Sequence, residues 1–217
     1  MVGKLVVVMG IDGSGKTTLI NNIKQCSENI PRIKPMSIFK DSVFTRELEQ
    51  VAELNGKTRR EMYSPILRSI VWRNDLINNT LLKVVPELEN GNIVILDRYY
   101  LCNKIYSNFD EQNLSHMDKL FEILPKPDLG LYLDVKVDIA LDRIEKRGLK
   151  KSPYETKENL NKLRNKYLEH IVQEQYPILK IDANLSEKEV LRIALDKIFE
   201  ILYKNQSEER ESNGRNI

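Results

Sequence analysis

The sequence predicts an α/β fold. It reads as a three-layer sandwich: one parallel sheet of about five strands, flanked by helices and topped by a small lid. Three observations predict it. Continuous apolar runs such as KLVVVMG, NIVILD and LGLYLDV read as strands buried on both faces, as in a parallel sheet. Stretches with apolar residues at helical spacing lie between them, so strands and helices alternate. A glycine-rich loop joins the first strand to the first helix.

The elements follow in order. KLVVVMG is the first strand, and GKTTLINNIKQCSEN from Gly15 onward is the first helix. PMSIFK reads as a short second strand. DSVFTRELEQVAELNG reads as a helix, capped by Asp41 or Ser42 and stopped by Asn55-Gly56. SPILRSIVWRNDLINNTLLKVVPELENG is a long helical pattern with Pro65 in its first turn and Asn90-Gly91 at its end. Pro86 is expected to kink or interrupt it. NIVILDRYY is a strand ending in a charged pair, and DLGLYLDV is the next. KVDIALDRIEKRG is an amphipathic helix, LKKSPYETKE a basic loop, and NLNKLRNKYLEHIVQEQ a helix. YPILKID is the last strand. SEKEVLRIALDKIFEILYK is a helix opened by a Ser-x-x-Glu capping box at Ser186 and Glu189.

The chain has 217 residues, enough for one such domain and short for two. The reading is a single domain over residues 1–204, with the lid at about 147–156. The polar stretch 205–217 is expected to be a disordered tail. Net charge is +2 and the pI about 8.4, so no strongly basic nucleic-acid surface is expected. No stretch approaches the length of a membrane span, and the N-terminal run is too short for a signal peptide. The expected location is therefore the cytoplasm. Cys26 and Cys102 have no metal-ligand spacing, and His116 and His170 stand far apart, so no protein-built metal cluster is expected.

Gly10-Ile11-Asp12-Gly13-Ser14-Gly15-Lys16-Thr17 fits the pattern G-x-x-x-x-G-K-[ST], followed by Thr18. It follows a buried strand and opens a helix, the context the pattern requires. Glycines let successive N–H groups wrap phosphate oxygens, and the helix N-terminus adds partial positive charge. Lys16 suits the β and γ phosphates, and the Thr17 hydroxyl suits Mg²⁺. The fold is thus expected to be that of a P-loop NTPase. Among such proteins, a GTPase reads guanine with Asn/Thr-Lys-x-Asp, and NKIY, NKLR and NKYL all lack the acid. The chain is short for a motor ATPase. A small kinase remains.

Ligands of a parallel sheet gather at the C-terminal ends of its strands, a rule that collects Gly10, Asp97, Arg98 and Asp182 on one rim. Asp97 stands where a carboxylate near Mg²⁺ is needed, and Arg98 offers a donor fork to phosphate. A kinase acting on a phosphate must hold two anionic groups together, which requires cations beyond the P-loop lysine. Arg143 and Arg147 lie four apart on one helix face, followed by Lys150 and Lys151. They suit a mobile basic lid over ATP, with Arg143 able to lie on the adenine face.

Nearly the whole chain, roughly Lys4 to Leu202, resembles the thymidylate kinase family, nucleoside monophosphate kinases that make dTDP from dTMP and ATP. The likeness rests on GIDGSGKTT, LDRYY, PDLGLYLDV, DRIEKRG, SPYE with KYLEH after it, and IDANLSEKEV, in that order. It implies ATP binding by Gly10 to Thr18, Arg143, Ala183 and Asn184. It implies acceptor binding by Asp12, Phe39, Arg73, Arg98, Tyr99, Tyr106 and Tyr154. Lys16, Asp97, Arg98 and Arg147 are the implied catalytic set, with Mg²⁺ at Thr17 and Asp97; Lys150 and Lys151 rival Arg147. Tyr154 and Glu155 resemble a lid-end pair near the acceptor phosphate. The likeness also implies a homodimer, with the Pro65 to Val85 helix as a reasonable interface.

The sequence departs from the family pattern on the acceptor side. SIFKDSVFTRELEQ replaces an Arg-Glu-Pro-Gly-Gly stretch whose arginine grips the acceptor phosphate, leaving Lys40 or Arg46 for that task. Ser69 stands where a phenylalanine usually stacks on thymine. Leu101, Cys102 and Asn103 replace small residues after DRYY. The alternatives are therefore a kinase of another nucleotide, a deoxynucleoside kinase on the same fold, or a nucleotide-binding regulator with little turnover.

Overall fold

In a computed structural model of the protein, residues 3–39, 42–107, 115–148 and 152–213 are described, those from 202 onward as backbone. Five parallel strands form one sheet: β1 (Lys4–Met9), β2 (Ile33–Met36), β3 (Ile93–Asp97), β4 (Leu129–Asp134) and β5 (Ile178–Asp182). Their order is β2-β3-β1-β4-β5. Leu5 to Met9 are buried on both faces, as their unbroken apolar run requires at the centre of a parallel sheet. The register pairs Val8 with Asp97 and Asp134 with Asp182, so the functional strand ends share one rim.

The chain leaves β1 toward β2 and leaves β3 toward β4, in opposite directions along the sheet. Right-handed crossovers then put their helices on opposite faces, and the loops after β1 and β3 part to form a crevice. The P-loop and Arg98 are those two loops.

The helices are α1 (Lys16–Cys26), α2 (Val43–Leu54), α3 (Arg59–Met62), α4 (Pro65–Asn79), α5 (Val85–Glu89), α6 (Tyr100–Ser107), α7 (Val137–Lys146), α8 (Lys157–Ile171) and α9 (Glu187–Asn213). A 3₁₀ segment covers Ser115–Ile123. The capping box at Ser186 and Glu189 forms as expected. A second one, Thr58 with Glu61, starts α3, a helix too short for a periodic pattern.

Two elements differ from the sequence reading, the second strand and the C-terminal stretch. The second strand lies at Ile33–Met36, not at PMSIFK from Pro35 to Lys40. β2 is an edge strand paired only with β3, so Pro35 is tolerated inside it. The long helix is interrupted before Pro86, as expected: Thr80–Val84 widen into a π-helical turn between α4 and α5. Pro86 has no N–H to donate backward, and the wider turn absorbs the mismatch. α9 continues to Asn213 through residues 205–213, where a disordered tail was expected. That stretch is rich in Glu, Arg and Gln, good helix formers, and meets no glycine before Gly214. Residues 214–217 lie outside the described residues.

Candidate active site

The P-loop bends where its glycines permit. Gly10, Gly13 and Gly15 have φ of 149°, 78° and 92°. Gly13 has a second reason to be glycine: a Cβ there would lie 2.4 Å from the carbonyl oxygen of Ala140 in α7. α7 therefore packs directly on the phosphate loop. Lys16 is buried at 6% exposure. Its Nζ donates to the Ile11 carbonyl at 2.7 Å and lies 3.4 Å from Ser14 Oγ. Burial above all, and then the Arg98 cation, push its pKa down to about 8, against the pull of Asp12 and Asp97.

Arg98 is the only non-glycine residue with positive φ among the described residues, at 67°. A left-handed arginine costs backbone energy and persists only where its surroundings demand it. Its backbone N–H donates to Val8 O at 2.9 Å, which fixes it beside the P-loop strand. Its Nη2 donates to Asp12 Oδ1 in a tight ion pair. The Tyr106 hydroxyl donates to Asp12 Oδ2 at 3.1 Å, and the Arg98 guanidinium lies over the Tyr106 ring at 5.0 Å. Burial opposes a charge on Asp12, but Arg98, Lys16 and Tyr106 together outweigh it and hold the carboxyl below its ordinary range. Burial pushes the Tyr106 phenol up, so it stays a donor at neutral pH.

Two cavities meet at this pair. One, of about 490 Å³, is walled by Asp12 to Thr18, Asp97, Arg98, Arg143, Arg147 and Ala183. The other, of about 510 Å³, is walled by Phe39, Arg46, Arg60, Arg68, Ser69, Trp72, Arg98, Tyr106 and Tyr154, among others. Arg98 belongs to both walls. Asp97 Oδ1 is buried without a hydrogen-bond partner among the described residues. An orphaned carboxylate oxygen and the Thr17 hydroxyl, in the wall of one cavity, are hard-oxygen donors that fit Mg²⁺. No cluster of three or more His, Cys, Asp or Glu residues exists among the described residues. Mg²⁺ bound largely through phosphates needs none.

Arg143 lies on α7 and Arg147 is the residue that caps its end. Arg143 donates to Ala183 O at 3.0 Å and to Gly13 O at 3.5 Å, bridging the loops after β5 and β1. Arg147 at the end of α7 pairs with Glu155 at 2.5 Å, and Glu155 also accepts from the Ser152 N–H at 2.6 Å. Arg147 is thereby tied to Glu155 ahead of α8, and it also lines the first cavity.

Residues 8–193, most of the chain, match the family model for thymidylate kinase. The chain belongs to the thymidylate kinase family. A "Probable thymidylate kinase" of Archaeoglobus fulgidus is 34% identical over 76% of this chain and 81% of its own length. "Probable thymidylate kinase 1" of Saccharolobus solfataricus is 31% identical over 92% and 99%. The "Thymidylate kinase" of Buchnera aphidicola is 31% identical over 84% and 88%.

Among the residues that this family resemblance marks, most come together. Asp12, Gly13, Ser14, Gly15, Lys16, Thr17, Thr18, Asp97, Arg98, Arg143, Arg147 and Ala183 wall the first cavity, and Phe39, Arg98, Tyr106 and Tyr154 wall the second. Others lie elsewhere. Gly10 and Ile11 support the loop from behind, with Ile11 in the core. Asn184 spends its side chain on the turn after β5, accepting from Lys136 N and donating to Asp182. Tyr99 is buried, and its hydroxyl donates to Pro125 O. Arg73 is fully buried, pairs with Asp118 at 2.8 Å and lies 4.9 Å from the centre of the Phe121 ring. Its Nε and Nη2 have no hydrogen-bond partner among the described residues. Lys40, Lys150 and Lys151 lie outside the described residues.

The sequence reading missed Trp72 and Arg60 in the second wall, and Asn22, Leu185, Glu187 and Val190 in the first. For Trp72 a signal existed: it lies three residues after Ser69, on the same helix face. For Arg60 none did, because α3 reaches the cavity only through tertiary packing.

No described helix is long and apolar enough to cross a membrane.

Proposed function

We propose that the protein transfers the γ-phosphoryl group of ATP to dTMP, giving ADP and dTDP. The observation that carries the reading is the position of Arg98, in the wall shared by two cavities and paired with the P-loop's Asp12. A triphosphate on the P-loop side and a monophosphate on the arginine-rich side meet at its guanidinium. The names of the relatives support dTMP as the acceptor.

An oxygen of the acceptor phosphate attacks the γ-phosphorus. As that P–O bond forms, the bond from the γ-phosphorus to the β–γ bridging oxygen breaks, and ADP leaves with the electron pair. A phosphate monoester is largely dianionic at neutral pH, so the nucleophile needs no general base. The chain's work is positioning and charge neutralisation. Lys16 neutralises the β and γ phosphates, Arg98 bridges the two reacting groups, and Arg147 brings a lid cation to the transferred one. Arg143 closes the adenine side. Asp12 orients Arg98 and limits the space for the acceptor sugar. Mg²⁺ held at Thr17 and Asp97 would neutralise charge across the β and γ phosphates. The role that the resemblance gives Arg73 at the acceptor base is supported by two of its donors having no partner among the described residues.

A nucleoside acceptor is disfavoured. It needs a base to take its hydroxyl proton, whereas Asp12 is already engaged by Arg98 and Tyr106. The second wall also holds Arg46, Arg60, Arg68 and Arg98, a cation density suited to a phosphorylated acceptor. A panel of monophosphates with ATP and Mg²⁺ tests the reading. Diphosphate should form fastest from dTMP; ATP binding with no acceptor-dependent ADP release would leave only a regulator.

The same reading includes a cytoplasmic homodimer. Exposed Ile66, Leu67, Leu81 and Leu82 on α4 and the π-helical turn support an apolar interface, and light scattering tests it.

A further inference from the structure

The second cavity is lined by two kinds of side chain: arginines, Arg98 and Arg46 among them, and the rings of Phe39, Trp72, Tyr106 and Tyr154. A nucleotide offers a match for each, a phosphate and a base joined by a sugar. The four rings are not equivalent. The Arg98 guanidinium covers a face of Tyr106 at 5.0 Å, and Tyr106 is tied by its hydroxyl to Asp12. The Arg60 guanidinium covers Tyr154 at 5.3 Å. Among the described residues, no cation lies over Phe39 or Trp72. These two pack against each other, with centroids 5.3 Å apart and a tilt of 45°.

Trp72 is the better placed of the pair. It stands on α4, a long helix, and presents the larger π surface. Ser69, three residues earlier on the same face, is small and leaves room for the indole. Trp72 meets Tyr106 edge-on, with centroids 6.3 Å apart. Tyr106 thus separates the indole from Arg98, much as the sugar separates base from phosphate in a nucleotide.

We infer that Trp72, buttressed by Phe39, is the face on which the acceptor base stacks. This rests on the reading of the chain as a monophosphate kinase. Stacking tolerates any base, because every base has a π face. The platform therefore supplies affinity and orientation, and Trp72 determines how much the base contributes to binding.

Trp72 is the single tryptophan of the chain, so intrinsic fluorescence reports this site alone. The unmodified protein is titrated with dTMP and, separately, with deoxyribose 5-phosphate, exciting the indole at the red edge of its absorption. Saturable quenching by dTMP and none by the base-free sugar phosphate is expected. Trp72→Ala should raise the acceptor KM roughly tenfold to a hundredfold, with the ATP KM nearly unchanged and Trp72→Phe in between. Turnover or binding of dTMP with unaltered tryptophan emission would overturn the inference while leaving the kinase reading intact. So would a Trp72→Ala enzyme with an unchanged acceptor KM. The titration needs no turnover, so absence of phosphoryl transfer would sink the kinase reading without deciding the stacking result.

Discussion

Raising the pH from about 7.5 to about 9.5 should weaken ATP binding roughly twentyfold, through Lys16. The structure sets the magnitude. Lys16 titrates at about 8 against 10.5 in solvent, because burial and Arg98 both disfavour its charge. A bound triphosphate places anionic oxygens at that amine and restores a high pKa, so binding takes up a proton above pH 8. The free site is about three-quarters protonated at about pH 7.5 and about 3% protonated at about pH 9.5. The ratio corresponds to about 1.8 kcal/mol. The assay is calorimetric titration with a non-hydrolysable ATP analogue, run in buffers of different ionisation enthalpy. Uptake of about one proton at the higher pH is expected. Lys16→Met should bind weakly at both values with no such step. Equal affinity of the unmodified protein at both values, or the same step in Lys16→Met, would refute the reasoning. Stability changes with the opposite sign. The folded pKa lies below the unfolded one, so the unfolded chain binds more protons between pH 8 and 10.5 and stability rises across that window. The cost of charged, buried Lys16 is full below pH 8 and is on the order of 3 kcal/mol.

Asp12→Asn should lower kcat/KM for the acceptor about tenfold to a hundredfold, because a charge-assisted partner of Arg98 is lost. Steady-state kinetics with dTMP as the varied substrate checks it, and an unchanged value would mean Arg98 is held by Tyr106 and its backbone alone. Asp75 is fully buried on α4 and accepts the Phe44 and Thr45 N–H groups at 2.9 Å each, capping α2 from outside. Asp75→Asn should cost about 1–3 kcal/mol in denaturant unfolding and raise the acceptor KM, since α2 carries Arg46 into the cavity wall. Arg147→Ala should cut kcat on the order of 10³-fold if the lid cation meets the transferred group. Glu155→Gln should give a smaller loss, because it only frees Arg147; equal kcat for Arg147→Ala and the unmodified protein would shift the role away from Arg147.

By itself the sequence determined the sheet, the phosphate loop and the pair at the end of β3. These are local signals: unbroken apolar runs, glycines at a turn, and charges where a buried strand stops. It did not disclose α6, because nearly every residue from Tyr100 to Ser107 is buried and a helix without a wet face shows no amphipathic period. It named Gly13, but only tertiary packing explains that residue, through the α7 carbonyl against it. It named Arg73 and Tyr99 for the acceptor, but only the tertiary structure seats Arg73 against Asp118 and Phe121 and Tyr99 against Pro125. Neighbours on one helix face are equivalent in sequence. Contacts distant in the chain decide which of them reaches the cavity, and here Trp72 reached it. The left-handed turn at Arg98 belongs to the same class. Val8 fixes its backbone while Asp12 and Tyr106, from other elements, hold the guanidinium between the two cavities, and no local pattern encodes that convergence.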